Sequence, residues 1–157
     1  MTTTDLLQEA AAFVAEAERM TNERDVDGIR TVFAAASHWT AILDGTVMEA
    51  NGVEEIWRNW SLLCDVMERR HMYVTKSLVL ADERAIVNEW TGTVRGRDVA
   101  RGIEVWVRDD DGLVVDQRLY TFSDVHSESS PVQNLRMLVA HPFTATAFAR
   151  ARIGVHA

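Results

Sequence analysis

Two side-chain amides sit where the alternation of strand residues is otherwise apolar. Asn88 shares a face with Ile86, Trp90 and Val94, and Gln117 shares one with Leu119 and Thr121. A buried amide has to be hydrogen-bonded or aimed at something. The two amides therefore either satisfy one another or a water, or they point at a bound molecule. Trp57, Trp60 and Trp90 read as walls of a ligand site or as plain core, with Trp57 fitting the core better. His71, in the run Arg69-Arg70-His71-Met72-Tyr73, stands where a helix gives way to a strand. Such a place can open on a pocket, and it equally suits a surface histidine capping a loop. His38 begins a strand and reads as a rim or structural histidine or as a base.

Other reactive groups have plainer readings. Cys64 is the only cysteine and lies on an apolar helix face, so it serves as a small hydrophobe rather than a nucleophile. Asp109-Asp110-Asp111 lacks the alternating oxygen ligands and distal Glu of a calcium loop and reads as a tight turn. No paired His/Asp/Glu spacing suggests a metal. Neither a Gly-rich phosphate loop, a Gly-x-Ser-x-Gly elbow nor a Ser/His/Asp set is present, so no cofactor is expected.

These residues need elements to position them. Thr3 or Thr4 caps a first helix with Leu6, Leu7, Ala10, Phe13, Val14 and Ala17 as its stripe. A second, shorter helix turns Ile29, Val32, Phe33 and Ala36 inward. His38–Leu43 reads as a strand, and Asp44-Gly45 as a two-residue hairpin turn leading to Thr46–Glu49. Residues 53–67 place Val53, Ile56, Trp57, Trp60, Leu63, Cys64 and Met67 on one face of a third helix. Four strands follow over 72–81, 85–94, 99–108 and 114–123, separated by charged turns. Alternation in the third of them sets Ile103, Val105 and Val107 against Glu104, Trp106 and Arg108, and the apolar set is expected to face the helices. The outer face would then carry Glu89, Glu104, Trp106, Asp116, Arg118 and Tyr120, with a cross-strand Glu104–Arg118 ion pair. Residues 125–157 form a C-terminal helical extension interrupted by Pro142. Its Leu135, Met137, Leu138, Val139 and Phe143 suit packing on the same domain or on a second subunit.

The bulk numbers bound the partners. A chain of 157 residues with 47% hydrophobic and 25% charged residues is expected to be one soluble domain. A net charge of -8 argues against nucleic acid and anionic membrane as main partners. No apolar run approaches the ~20 residues that span a bilayer, and MTTTDLLQEA carries no basic region ahead of an apolar core. A cytoplasmic location is the expectation.

The chain resembles the SnoaL-like branch of the nuclear-transport-factor-2-like superfamily. The resemblance rests on Asn22-Glu-Arg-Asp25-Val-Asp27, His38-Trp39, Asp44-Gly45, Asn51-Gly52-Val-Glu-Glu-Ile56, Asp111-Gly112-Leu-Val114 and Arg118-Leu-Tyr120. It covers roughly residues 5 to 124. It implies an α+β cone over residues 1–124, in which a curved, largely antiparallel sheet wraps three helices of the N-terminal half around a pocket. It also implies a homodimer through the outer sheet face, here Glu104, Trp106, Arg118 and Tyr120. Reactions in this superfamily are mostly proton transfers without a cofactor. The resemblance implies a catalytic role for His71 and a pocket wall at Trp39; the strand and helix faces add Asn88 and Gln117 as catalytic candidates and Trp60, Trp90, Ile103, Val105, Leu119 and Thr121 as ligand contacts. The residues that activate water in the similar epoxide hydrolases are replaced by Trp90-Thr91-Gly92 and Leu119, so that chemistry is not expected. Phe122 stands where many SnoaL-like cyclases have an acid/base Asp, with Asp124 two residues later.

Three functions compete. The first is a cofactor-independent isomerase, cyclase, lyase or hydrolase acting by proton transfer on a small apolar molecule. The alternative is a non-catalytic binding protein for such a molecule, and a third reading is a dimeric scaffold. An ionisable group inside the cavity separates enzyme from binder.

Overall fold

The computed structural model describes residues 2–123 and 131–155. Asp124 and the first residues of the expected extension, 125–130, lie outside them. The chain divides into two compact units, residues 1–125 and 126–157. The first contains helices α1 (Thr3–Glu23), α2 (Val26–Val32) and α3 (Val53–Arg69), with strands β1 (Phe33–Leu43), β2 (Thr46–Asn51), β3 (Met72–Ala81), β4 (Ala85–Val94), β5 (Arg97–Arg108) and β6 (Val114–Ser123). The second contains α4 (Pro131–Ala140) and α5 (Pro142–Val155), with Pro142 opening α5 rather than interrupting a helix. No described helix is long and apolar enough to cross a membrane.

The six strands form one open sheet in the order β2-β1-β6-β5-β4-β3. All neighbours are antiparallel except β1 and β6. The α+β class and the largely antiparallel sheet with three helices in the N-terminal half are those expected. Tight turns come from residues that accept positive φ: Asp44 and Gly45 at 49° and 88°, and Arg95 and Gly96 at 53° and 74°. The second pair lets β5 begin at Arg97, two residues before the expected start.

Local chemistry explains the helix ends. Thr2, one residue earlier than expected, caps α1 in a reciprocal box with Asp5. Arg24 closes that helix in the left-handed conformation, and Asp25 caps α2 by accepting from the Gly28 N–H. The second helix ends sooner than its apolar spacing suggests. Phe33 already belongs to β1, and Ala36 lies exposed on that strand rather than inward. A register shift between Phe33 and His38 accounts for it, because the irregular stretch pairs with β6 without a regular alternation.

The edge strand β3 is covered by α1. The Asn22 amide donates to the Val74 carbonyl and accepts from the Val74 N–H, both at 2.8 Å. Arg24 donates to the Met72 carbonyl, and Glu18 accepts from the Lys76 N–H. Helix side chains thus supply the partners that an outermost strand otherwise lacks. Three inward positions, Met72, Val74 and Lys76, are held in place by this seam.

The strand phases decide what lines the interior. In β4 and β6 the inward residues are Ile86, Asn88 and Trp90, and Gln117 and Leu119, as alternation predicts. In β5 the phase is the reverse of that expected. Ala100, Gly102, Glu104, Trp106 and Arg108 are buried, while Ile103 is 47% exposed and Val105 and Val107 are half-buried on the convex side. Glu104 and Trp106 therefore do not belong to the outer face with Arg118 and Tyr120. The expected Glu104–Arg118 pair is replaced by Glu104–Lys76 inside and Arg118–Asp116 outside. Partners on distant elements choose the phase. Lys76 neutralises Glu104, Glu9 meets Arg108, and Phe13 and Phe33 pack on Trp106 at 5.3 and 6.1 Å. Gly102 allows β6 and the Trp90 indole to approach: a Cβ there would lie 2.0 Å from the Tyr120 carbonyl oxygen and 2.6 Å from Trp90 Nε1.

Candidate active site

Between α3 and the concave face of the sheet lies a cavity of about 100 Å³. Helix α3 contributes Trp60, Leu63 and Met67 on the i, i+3, i+7 face that its sequence pattern marks. The sheet contributes Val74 and Lys76 from β3, Trp90 from β4, Ala100 and Glu104 from β5, and Leu119 and Thr121 from β6. Most of these walls are apolar, with three charged residues among them, Arg70 from the turn after α3 and the opposite charges of Lys76 and Glu104.

The last two are a pair. Lys76 Nζ lies 3.0 and 2.7 Å from the two Glu104 carboxylate oxygens, and the two side chains are 2% and 3% exposed. Asn88 Nδ2 donates to Glu104 Oε2 at 2.9 Å, and Asn88 Oδ1 accepts from Trp106 Nε1 at 2.8 Å. The result is a continuous array, Trp106–Asn88–Glu104–Lys76, running across β5, β4 and β3. The Lys76 ammonium also lies 5.9 Å from the Trp60 ring centroid and 5.6 Å from that of Trp106. Indole faces favour a cation there. Burying two charges is tolerated only because each satisfies the other and Asn88 supplies a further donor.

The residues singled out in the sequence divide between this site and other places. Trp60, Trp90, Leu119 and Thr121 line the cavity, and Asn88 adjoins it through Glu104. Trp39 is fully buried in the core and Gln117 is fully buried beside it, paired with it in register across β1 and β6. Neither lines the cavity, and the Gln117 amide has no hydrogen-bond partner among the described residues. Ile103 and Val105 lie on the convex face and cannot contact a ligand in the cavity; the phase of β5 removes them. His71 is exposed on the turn after α3 with φ at 51°, its backbone N–H donating to Glu68. It does not line the cavity either. His38 pairs with Asp116 at 3.0 Å on the opposite surface.

Lys76 was missed altogether, although composition marks it. Of the 16 Lys and Arg residues in the chain, 15 are arginine and Lys76 is the single lysine. Its position continues the alternation Met72, Val74, Lys76, which is an inward phase. Burial pushes the Cys64 thiol up, against a smaller opposing effect of Arg24, so Cys64 is held as a neutral thiol. Among the described residues no group of three His, Cys, Asp or Glu could hold a metal ion.

No family model matches the sequence, and no curated protein matches it. Solved structures do. The chain is similar to a SnoaL-like protein of unknown function from Burkholderia thailandensis, at 18% identity and a TM-score of 0.60, over 78% of this chain and 99% of that one. It is also similar to a steroid delta-isomerase from Pseudomonas aeruginosa, at 20% identity and a TM-score of 0.56, over 90% and 94% of the two chains. A third, from Methylobium petroleophilum, is a protein of unknown function with a cystatin-like fold, at 21% identity and a TM-score of 0.55, over 78% and 82%. The fold of this chain is thus the cystatin-like α+β fold that SnoaL-like proteins and steroid isomerases share, as its resemblance to the nuclear-transport-factor-2-like superfamily implied.

Proposed function

We propose that the cavity is the working site of a cofactor-independent enzyme of the isomerase, cyclase, lyase or hydrolase type. It transfers a proton on a small, mostly apolar molecule. The observation that carries this reading is the Lys76–Glu104 pair set among apolar cavity walls. A carboxylate in a dry pocket is suited to removing a proton from carbon. Lys76 gives Glu104 two hydrogen bonds, which leaves an N–H of its ammonium to meet a developing oxyanion. Asn88 positions Glu104, and Trp60, Trp90, Leu119 and Thr121 contact the ligand. The similarity in fold to a steroid delta-isomerase supports the same reading, although a fold does not carry a function by itself.

Thermal-shift screening with one-ring enones, lactones, ketones and terpenoid fragments tests it. A ligand at ~100 times its dissociation constant adds about 2.7 kcal/mol of stability. Turnover of a hit should fall by about 10²–10⁴ in kcat in Glu104→Gln and stay unchanged in His71→Ala. Equal turnover in Glu104→Gln would overturn the assignment. One observation favours the second reading, a binding protein: the Glu104 oxygens are already engaged by Lys76 and Asn88. Tight binding without turnover would establish it.

The convex face supports a homodimer, with membership revised by the phase of β5. Ile103, Tyr120 and Phe122 are exposed there beside Arg118. A contiguous apolar sheet face of this kind suits a second copy.

A further inference from the structure

An ion pair with Glu104 does not call for a lysine. A guanidinium is always charged, forks onto a carboxylate and is the more weakly hydrated cation, so arginine is the usual residue for a buried pair. This chain uses arginine at every cationic position but one, 15 of 16, and the exception is the cavity residue Lys76. What an amine does that a guanidinium does not is release a proton and form a bond from nitrogen to carbon. The surroundings suit that step. The Lys76 side chain is 2% exposed, faces the rings of Trp60 and Trp106, and has a carboxylate at 2.7 Å to take its proton.

We propose that Lys76 forms a reversible imine with an aldehyde or ketone bound in the cavity. The ammonium first gives a proton to Glu104, leaving a neutral amine beside a carboxylic acid. The nitrogen lone pair attacks the carbonyl carbon, the C–N bond forms and the C=O π pair moves to oxygen. Glu104 returns its proton to that oxygen and then takes one from the cationic nitrogen, which gives a neutral carbinolamine. A second return of the proton to the hydroxyl expels water and leaves a protonated imine paired with the Glu104 carboxylate. Ammonium plus carbonyl has become iminium plus water, and the ion pair is preserved. The indole faces that hold the ammonium hold the iminium equally. An apolar cavity of about 150 Å³ takes up benzene, so about 100 Å³ selects short-chain carbonyl compounds smaller than a six-membered ring. This inference rests on reading the cavity as a ligand site and assigns its substrate class.

Reductive trapping tests it directly, because Lys76 and the α-amine are the only primary amines of the polypeptide. The folded protein is incubated at pH 7 with propanal or acetone and cyanoborohydride, and its intact mass and peptide map are recorded. The expected product gains the mass of the probe less one oxygen, on the Lys76 peptide. Its formation should be at least about tenfold faster than in urea-unfolded protein, where no cavity holds the carbonyl against the amine. Lys76→Arg should abolish the adduct. Should that variant not fold, the wild-type peptide map and the folded-to-unfolded rate ratio decide alone. Labelling of the α-amine only, or a Lys76 rate no higher folded than unfolded, overturns the imine. Turnover of a carbonyl ligand without trapping refutes the imine and leaves the proton-transfer reading standing. Trapping at Lys76 without turnover of any carbonyl probe does the opposite.

Discussion

On β5 the concave side presents Glu104, Trp106 and Arg108 to the interior, while the convex side turns Ile103, Val105 and Val107 outward. Hydrophobicity along this one strand would assign the faces the other way. The interior takes the charged set because every member meets a partner: Lys76 and Asn88 for Glu104, Asn88 for the Trp106 indole N–H, and Glu9 for Arg108. The outer side keeps the apolar set half-exposed, which a surface tolerates at modest cost. A paired charge can therefore be buried where an unpaired one could not, and the freed apolar face is left partly exposed.

The sharpest way to break this contrast is to remove one member of the inner pair. Lys76→Met or Glu104→Leu alone should cost about 3–5 kcal/mol, read by urea unfolding, because each leaves a buried charge without its partner. The double variant should recover most of that loss. Single variants that unfold like the wild type would mean that the pair is hydrated. Next in size, Gly102→Ala should cost about 1–3 kcal/mol, since its methyl group must displace the Tyr120 carbonyl and the Trp90 indole together. On the convex side, Ile103→Thr should change stability by no more than about 0.5 kcal/mol. Ile103→Glu should yield a monomer by light scattering if the face joins two copies. A dimer that survives Ile103→Glu and Phe122→Glu together would remove the convex face from the assembly.

The smallest effect concerns the turn between β3 and β4. Asp82 accepts from the backbone N–H groups of Arg84 and Ala85, and these hydrogen bonds hold its carboxyl below the usual aspartate range. Its folded value is thus lower than its unfolded one. The stability it contributes is present above the unfolded value and is lost as pH falls through the folded one. An NMR titration should find Asp82 below an unstructured Asp, and Asp82→Asn should flatten the acid limb of the stability curve slightly.

How much was legible follows from the range over which each signal acts. The helix α3 and strands β3, β4 and β6 could be read from periodicity, because burial on one face needs only a local pattern. The hairpin turn at Asp44-Gly45 was legible because positive φ is a property of single residues. Trp60, Trp90, Leu119 and Thr121 could be picked out as inward residues for the same reason. The end of α2 was not, since Phe33 suits a helix face and an inward strand position alike. The identity of the ionisable group in the cavity was also illegible. His71 stood at a junction that a local pattern cannot orient, and the turn sends it outward.

The sequence by itself determined the element order and the inward faces of β4 and β6. Its composition also holds a single lysine among fifteen arginines, but not where that lysine points. Only the tertiary structure decided the phase of β5 and with it the chemistry of the cavity. The reason is electrostatic: a carboxylate is expelled from a core unless a cation meets it there. That cation sits 28 residues earlier on a strand which reaches Glu104 only across β4.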